Sequence, residues 1–256
     1  VFVHGVFVNG DLWRNVVPRL ASRYRCITPD WPLGSHGEPM GPDTDLSTPG
    51  LARLVAGFID ELGLNDVTLI GNDTGGAICQ LVVADHRERI GRLVLTSCDA
   101  FEVYPPSPFG FLRLIPSVPG AAFLLGQGMR FGFVRRLPLA YGWVMSRMAP
   151  RPVMDSYTRP LLDPAIRRDA KALLRGISNE HTLQAPERFA DFPGPVLLAW
   201  AGNDKLFPVT LADRLSNVFR HARQETVQDS RTFIAEDQPE ALADLIDDFI
   251  SSARRD

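Results

Sequence analysis

Cysteine is scarce in this chain: three residues in 256, at Cys26, Cys79 and Cys98. Their spacing fits no metal-ligand pattern, so a zinc site is set aside and no metal is expected. Two of the three sit in apolar runs, which predicts buried, reduced thiols in a cytoplasmic protein. Long hydrophobic runs are also missing. No apolar stretch reaches the roughly 18 residues that a membrane-spanning helix needs. A large charge of either sign is absent too, with 27 basic against 30 acidic residues and a net charge of -3. Neither a nucleic acid nor a membrane is therefore expected as a partner. Arginine is plentiful only in the middle of the chain ("MRFGFVRRLPLAYGWVMSRMAPRP"). Apolar residues interrupt it throughout, and a solvated or lid-like surface is expected there. No signal peptide is recognisable, and the chain opens on "VFVHG", within an expected strand.

What is present is a large apolar fraction, 45% of the residues, enough for one sizeable core. Short apolar runs at Val1–Val3, Tyr24–Thr28, Val67–Ile70, Arg92–Thr96, Val196–Trp200 and Gln224–Val227 read as strands. They are continuous more than alternating, as parallel strands covered on both faces should be. Helix-period segments lie between them, at Asp11–Ser22, Leu51–Leu62, Gly75–His86, Thr210–Arg220 and Pro239–Ser252. This alternation predicts a mostly parallel, doubly wound α/β sheet. Between Thr96 and Val196 the rhythm stops, and a helical insertion over the carboxyl ends of the strands is expected, where open α/β sheets bind ligands. The expected division is a first core part at 1–100, a helical lid at 101–190 and a second core part at 191–256.

The stretch "LIGNDTGGAICQL" ends a strand, turns through small residues and enters a helix. Gly71, Gly75 and Gly76 flank the acidic Asp73 with small residues, as a nucleophile elbow requires for its tight strand-to-helix turn. A plainer reading makes Asp73 the cap of the following helix. Two further features accompany it. An earlier strand ends in His4-Gly5, and a later one leads into "AGNDKLFP", with Asp204 in the loop before a helix.

In this order the motifs match the α/β-hydrolase fold over nearly the whole chain, and the sequence most resembles the haloalkane dehalogenase and epoxide hydrolase branch. The resemblance implies that Asp73 is the nucleophile and that the backbone N–H groups of Val6 and Thr74 form an oxyanion hole beside His4 and Gly5. It implies Asp204 as the acid. No cofactor is implied, and the expected partner is a small apolar substrate. A carboxylate nucleophile suits a saturated carbon bearing halide or an epoxide, because the resulting ester can be cleaved by water.

The chain departs from that branch at three places. Val6 and Thr74 stand where dehalogenases cradle the leaving halide with side chains. No Pro follows His-Gly as in epoxide hydrolases, and the lid tyrosines available as proton donors are Tyr104, Tyr141 and Tyr157. Most seriously, "SRTFIAEDQPEAL" places Thr232 where the family's catalytic His stands. A Thr hydroxyl is no general base near neutral pH. His86 and His221 read as remote, whereas His36 and His181 lie on segments that could approach the active edge. Asp99, just past the strand after the elbow helix, is a third acidic candidate, able to crowd one pocket with Asp73 and Asp204. Three readings stay open: an alkylating hydrolase, a fold member that binds a ligand without turnover, and a cofactor-free reaction with Asp73 as acid or base.

Overall fold

A computed structural model describes residues 1–253, so the last three residues of the second core part lie outside it. Five parallel strands form one sheet in the spatial order of the sequence: β1 (Phe2–Val3), β2 (Val67–Asp73), β3 (Ile90–Cys98), β4 (Val196–Ala201) and β5 (Ala222–Val227). β3 and β4 are buried along almost all their length, as apolar runs covered on both faces should be. β5 is different. Its sequence, ARQETV, is polar and mostly half-buried, because it lies at the edge of the sheet.

The expected strand at Tyr24–Thr28 does not form. The segment still lies against β1, where the Phe2 N–H donates to the Ile27 carbonyl at 2.9 Å. A two-residue β1 offers too little edge for a longer ladder. The chain then crosses to the other flank of β1 to make β2. The winding therefore reverses at β1, which sets the ligand crevice beside the His4-Gly5 turn that ends this strand.

The expected helix at Asp11–Ser22 is a 3-10 turn at Gly10–Trp13 followed by the short α1 (Val17–Leu20), since Pro18 and the turn chemistry of Asn9 divide it. The other core helices fall where periodicity puts them: α2 (Thr48–Glu61), α3 (Thr74–Asp85), α9 (Val209–Val218) and, after the short α10 (Ile234–Asp237), α11 (Pro239–Ser252). α3 is apolar nearly all round and buried, packed between the sheet, α2 and α8 (Asn179–Phe189). α4 (Ala121–Gly128), α5 (Gly132–Arg135), α6 (Arg151–Thr158), α7 (Pro164–Gly176) and α8 fill the interval between β3 and β4, joined by 3-10 and π turns. Cys79 and Cys98 are buried free thiols, and Cys26 is half-buried. No helix among the described residues is long and apolar enough to cross a membrane.

Candidate active site

Asp73 stands at the junction of β2 and α3 with φ 52 and ψ -131, a backbone conformation that costs a non-glycine residue energy. Its side chain makes no cap bond to α3, so the plainer reading of Asp73 as a helix cap fails. The small neighbours are required by contact. A Cβ on Gly75 would meet the Val3 and His4 carbonyl oxygens at 2.3 and 2.5 Å, and one on Gly5 would meet Asp73 Oδ2 at 2.1 Å. Gly5 is thus the seat of the carboxylate.

Asp73 is half-buried, in the wall of an apolar cavity. Burial raises its pKa, against the backbone N–H groups of Thr74 and Val6, which hold it down; the Asp204 charge adds to the rise, to about 7. The two N–H groups expected as an oxyanion hole are therefore directed at the Asp73 side chain itself. Val6, Asp73, Thr74 and Asp99 line a cavity of about 90 Å³ whose remaining walls are apolar except for Tyr141. Phe109, Leu112, Leu125, Met129 and Val144 come from the segment over the sheet, and Leu206 and Phe233 from the last loops. This volume is below the roughly 150 Å³ that holds benzene in an apolar cavity, so the site suits a compact ligand.

Asp99 joins Asp73 in this cavity. Its Oδ2 accepts from the Thr74 hydroxyl at 3.0 Å, whereas Oδ1 is buried without a hydrogen bond. Burial, then the Asp73 charge, pushes Asp99 well above the carboxylate range.

Asp204 and Thr232 sit behind the cavity and do not line it. Asp204 Oδ1 accepts from the N–H groups of Leu206 (2.8 Å) and Phe207 (3.0 Å) and from the Thr232 hydroxyl (2.9 Å). Ser97 faces this carboxylate, but Oδ2 is buried and makes no full hydrogen bond. Burial raises Asp204 and these donors oppose the rise. Asp204 is thus held against the hydroxyl of Thr232, the residue expected to stand at the family's His position.

No histidine substitutes there. His4 is buried and turned into the scaffold, its Nε2 accepting from the Trp31 N–H at 2.9 Å, and burial lowers its pKa to about 4. His36 is buried against Asp169 at 3.3 Å, and His181 lies on α8. His86 ends α3, His221 is exposed, and none of the five lines the cavity. Among the tyrosines, Tyr104 is bonded to Thr48 and Tyr157 donates to Glu236; neither lines the cavity. Tyr141 does, but its hydroxyl donates to the Phe7 carbonyl at 2.5 Å. Its proton is already committed.

Asn72 is the site residue that sequence reasoning missed. Its Nδ2 donates to the carbonyls of Thr96, Ser97 and Thr232, at 2.9, 3.3 and 2.8 Å, tying the Thr232 loop to the elbow. The signal was a polar residue inside an otherwise apolar strand. Asn72→Ala is expected to cost about 3 kcal/mol, or roughly 6–12 °C of melting temperature, by stranding buried carbonyls. An unchanged thermal melt would contradict that role.

The cavity holds no cluster of three metal-ligating side chains, and none occurs elsewhere among the described residues. Comparison with known proteins places the chain in a family. The alpha/beta hydrolase fold family matches residues 1–239. Haloalkane dehalogenase 2 of Mycobacterium tuberculosis is 28% identical over 254 residues, covering 95% of this chain and 84% of the relative. A cis-3-alkyl-4-alkyloxetan-2-one decarboxylase of Xanthomonas campestris is 26% identical over 273 residues, covering 98% and 87%. The solved structure of an epoxide hydrolase superposes with a TM-score of 0.79 at 20% identity, over 98% of this chain and 90% of that one. The chain belongs to the alpha/beta hydrolase fold family, with its relatives in the haloalkane dehalogenase- and epoxide hydrolase-like branch.

Proposed function

We propose that this chain is a hydrolase that opens a small, apolar, oxygen-containing electrophile of the epoxide type. The Asp73 carboxylate attacks a saturated carbon and Asp99 gives its proton to the departing oxygen. The single observation that carries this reading is the pairing of two carboxyl groups, the half-buried Asp73 and the buried Asp99, in one apolar cavity. Burial sets their proton affinities apart, which suits one to act as nucleophile and the other as acid.

In the first step the new bond joins a carboxylate oxygen of Asp73 to carbon, the ring carbon–oxygen bond breaks, and the proton of Asp99 goes to the ring oxygen. In the second, water attacks the ester carbonyl while the Asp99 carboxylate takes its proton. Asp73 is released as a carboxylate and the product as a diol. The N–H groups of Val6 and Thr74 stabilise the oxyanion of this second step. Asp99 thus alternates between acid and base, as one carboxyl group does in retaining glycosidases. With Thr232 in place of a His, the second step lacks the usual base and becomes the slow one.

Halide is the less suitable leaving group. Val6 has no side-chain donor, and the Thr74 hydroxyl is already given to Asp99. The relative named for a strained oxygen ring, an oxetan-2-one, supports the same preference.

The pH dependence tests the assignment. Asp73 is a nucleophile only when ionised, so ring opening should rise with pH through about 7 and fall again where Asp99 loses its proton. Stopped-flow or single-turnover assays of a small epoxide from pH 5 to 9 would show this. Asp99→Asn should remove the alkaline fall and slow ring opening by roughly 10²-fold. A rate independent of pH across this range would overturn the reading.

A further inference from the structure

We infer that the lid presents an interfacial surface that docks on an anionic lipid bilayer. Nine of the twelve large apolar residues exposed among the described residues fall between Phe111 and Leu139. Leu124 and Phe133 are 67% and 69% exposed, and Leu114, Phe131 and Leu137 are at least half exposed. Soluble proteins seldom leave so much apolar side chain in water without a use for it. Phe111 and Leu139 are exposed yet also line the Asp73 cavity, so the two ends of the segment meet at its mouth. The segment between them, including α4 and α5, folds over the opening, and the rings of Phe131 and Phe133 lie 5.9 Å apart at its outer side.

Charge identifies the occupant. Residues 103–154 contain six arginines and no acidic residue, so all 30 acidic residues of the chain lie elsewhere. Two of the six, Arg135 and Arg151, face Asp155. Arg113, Arg130, Arg136 and Arg147 are exposed and make no ion pair among the described residues. Arg113 and Arg130 donate only to a carbonyl and an amide. Exposed Phe and Leu among unneutralised Arg is the composition of a surface that enters the headgroup region of anionic lipid. An acidic protein partner would meet the arginines but leave the leucines and phenylalanines wet. The whole-chain charge, which argued against a membrane, averages this segment with an acidic remainder. Docking is peripheral, since no described helix can span a bilayer, and it stands whether or not Asp73 is the nucleophile.

The test is co-sedimentation of the intact chain with large vesicles of phosphatidylglycerol and phosphatidylcholine in equal parts. Pure phosphatidylcholine vesicles, and analytical ultracentrifugation without lipid, serve as controls. We expect binding to the anionic vesicles at least about tenfold tighter than to the neutral ones, weakened by salt. Phe131→Ser with Phe133→Ser, and separately Arg130→Glu with Arg136→Glu, should each lower it by about tenfold or more, with unchanged melting temperature. None of these four lines the cavity, so fold and chemistry are preserved. Equal partitioning of wild type and variants overturns the inference. So does a concentration-dependent dimer lost in the Phe variant without any vesicle binding, which would make the patch a contact between copies.

Discussion

Thr232→His is expected to raise the steady-state rate on a small epoxide by about 10²-fold or more, the usual contribution of a positioned general base. In the wild-type chain a burst of epoxide consumption, one equivalent per active site, should precede a slow phase of diol release limited by ester cleavage. The substitution should accelerate the slow phase and leave the burst nearly unchanged. The surroundings are prepared for an imidazole. Thr232 Oγ1 already bonds Asp204, Asp204 Oδ2 lacks a full hydrogen bond, and Asn72 fixes the Thr232 backbone beside the elbow. An imidazole N–H directed at Asp204 would satisfy that oxygen and be oriented by it. The position is fully buried, so the larger ring must displace neighbours, and overpacking costs about 1–3 kcal/mol. Circular dichroism and a thermal melt separate that cost from the kinetic effect. A folded Thr232→His protein with an unaltered slow phase would show that base strength at this position does not limit turnover.

The second large effect is at Asp73. Asp73→Asn should abolish ring opening, by on the order of 10³-fold or more, because an amide cannot form the ester. The same substitution should not unfold the protein. A group whose folded pKa is raised, here to about 7, binds more protons folded than unfolded. Its contribution to stability is therefore present below the unfolded carboxylate range and is lost as pH climbs toward 7. Replacing it with neutral Asn removes that loss. At pH 8 the variant should melt several degrees above the wild type, and near pH 4 the gap should close. Loss of activity with a gain in stability is a pattern that general structural damage would not produce.

How much of this was legible in the sequence depends on the residue. The elbow was readable because Gly71, Gly75 and Gly76 answer to contacts a Cβ would violate, and such constraints are local. The strands β2, β3 and β4 were readable because burial on both faces leaves only apolar residues. Tyr24–Thr28 misled because its apolar residues pack against β1 without a ladder, and hydrogen-bond pairing depends on a neighbour distant in sequence. The same limit applies to the site. Asp73 and Asp204 could be singled out from order along the chain, but the pairing of Asp99 with Thr74 rests on a 3.0 Å bond across 25 positions. His36 and His181 could not be dismissed from sequence, since their distance from Asp73 is a matter of packing alone. The lid's polarity was visible in the arginine run, yet only exposure shows which of its apolar residues are not core.

The most direct measurement is the intact mass of the protein, with peptide mapping, after incubation with excess of a small epoxide at pH 8 and rapid acid quench. The account predicts a mass gain of one substrate, located on the peptide containing Asp73, absent in Asp73→Asn and short-lived in Thr232→His. An unmodified Asp73 peptide in the wild-type protein, whether or not product has formed, would contradict it.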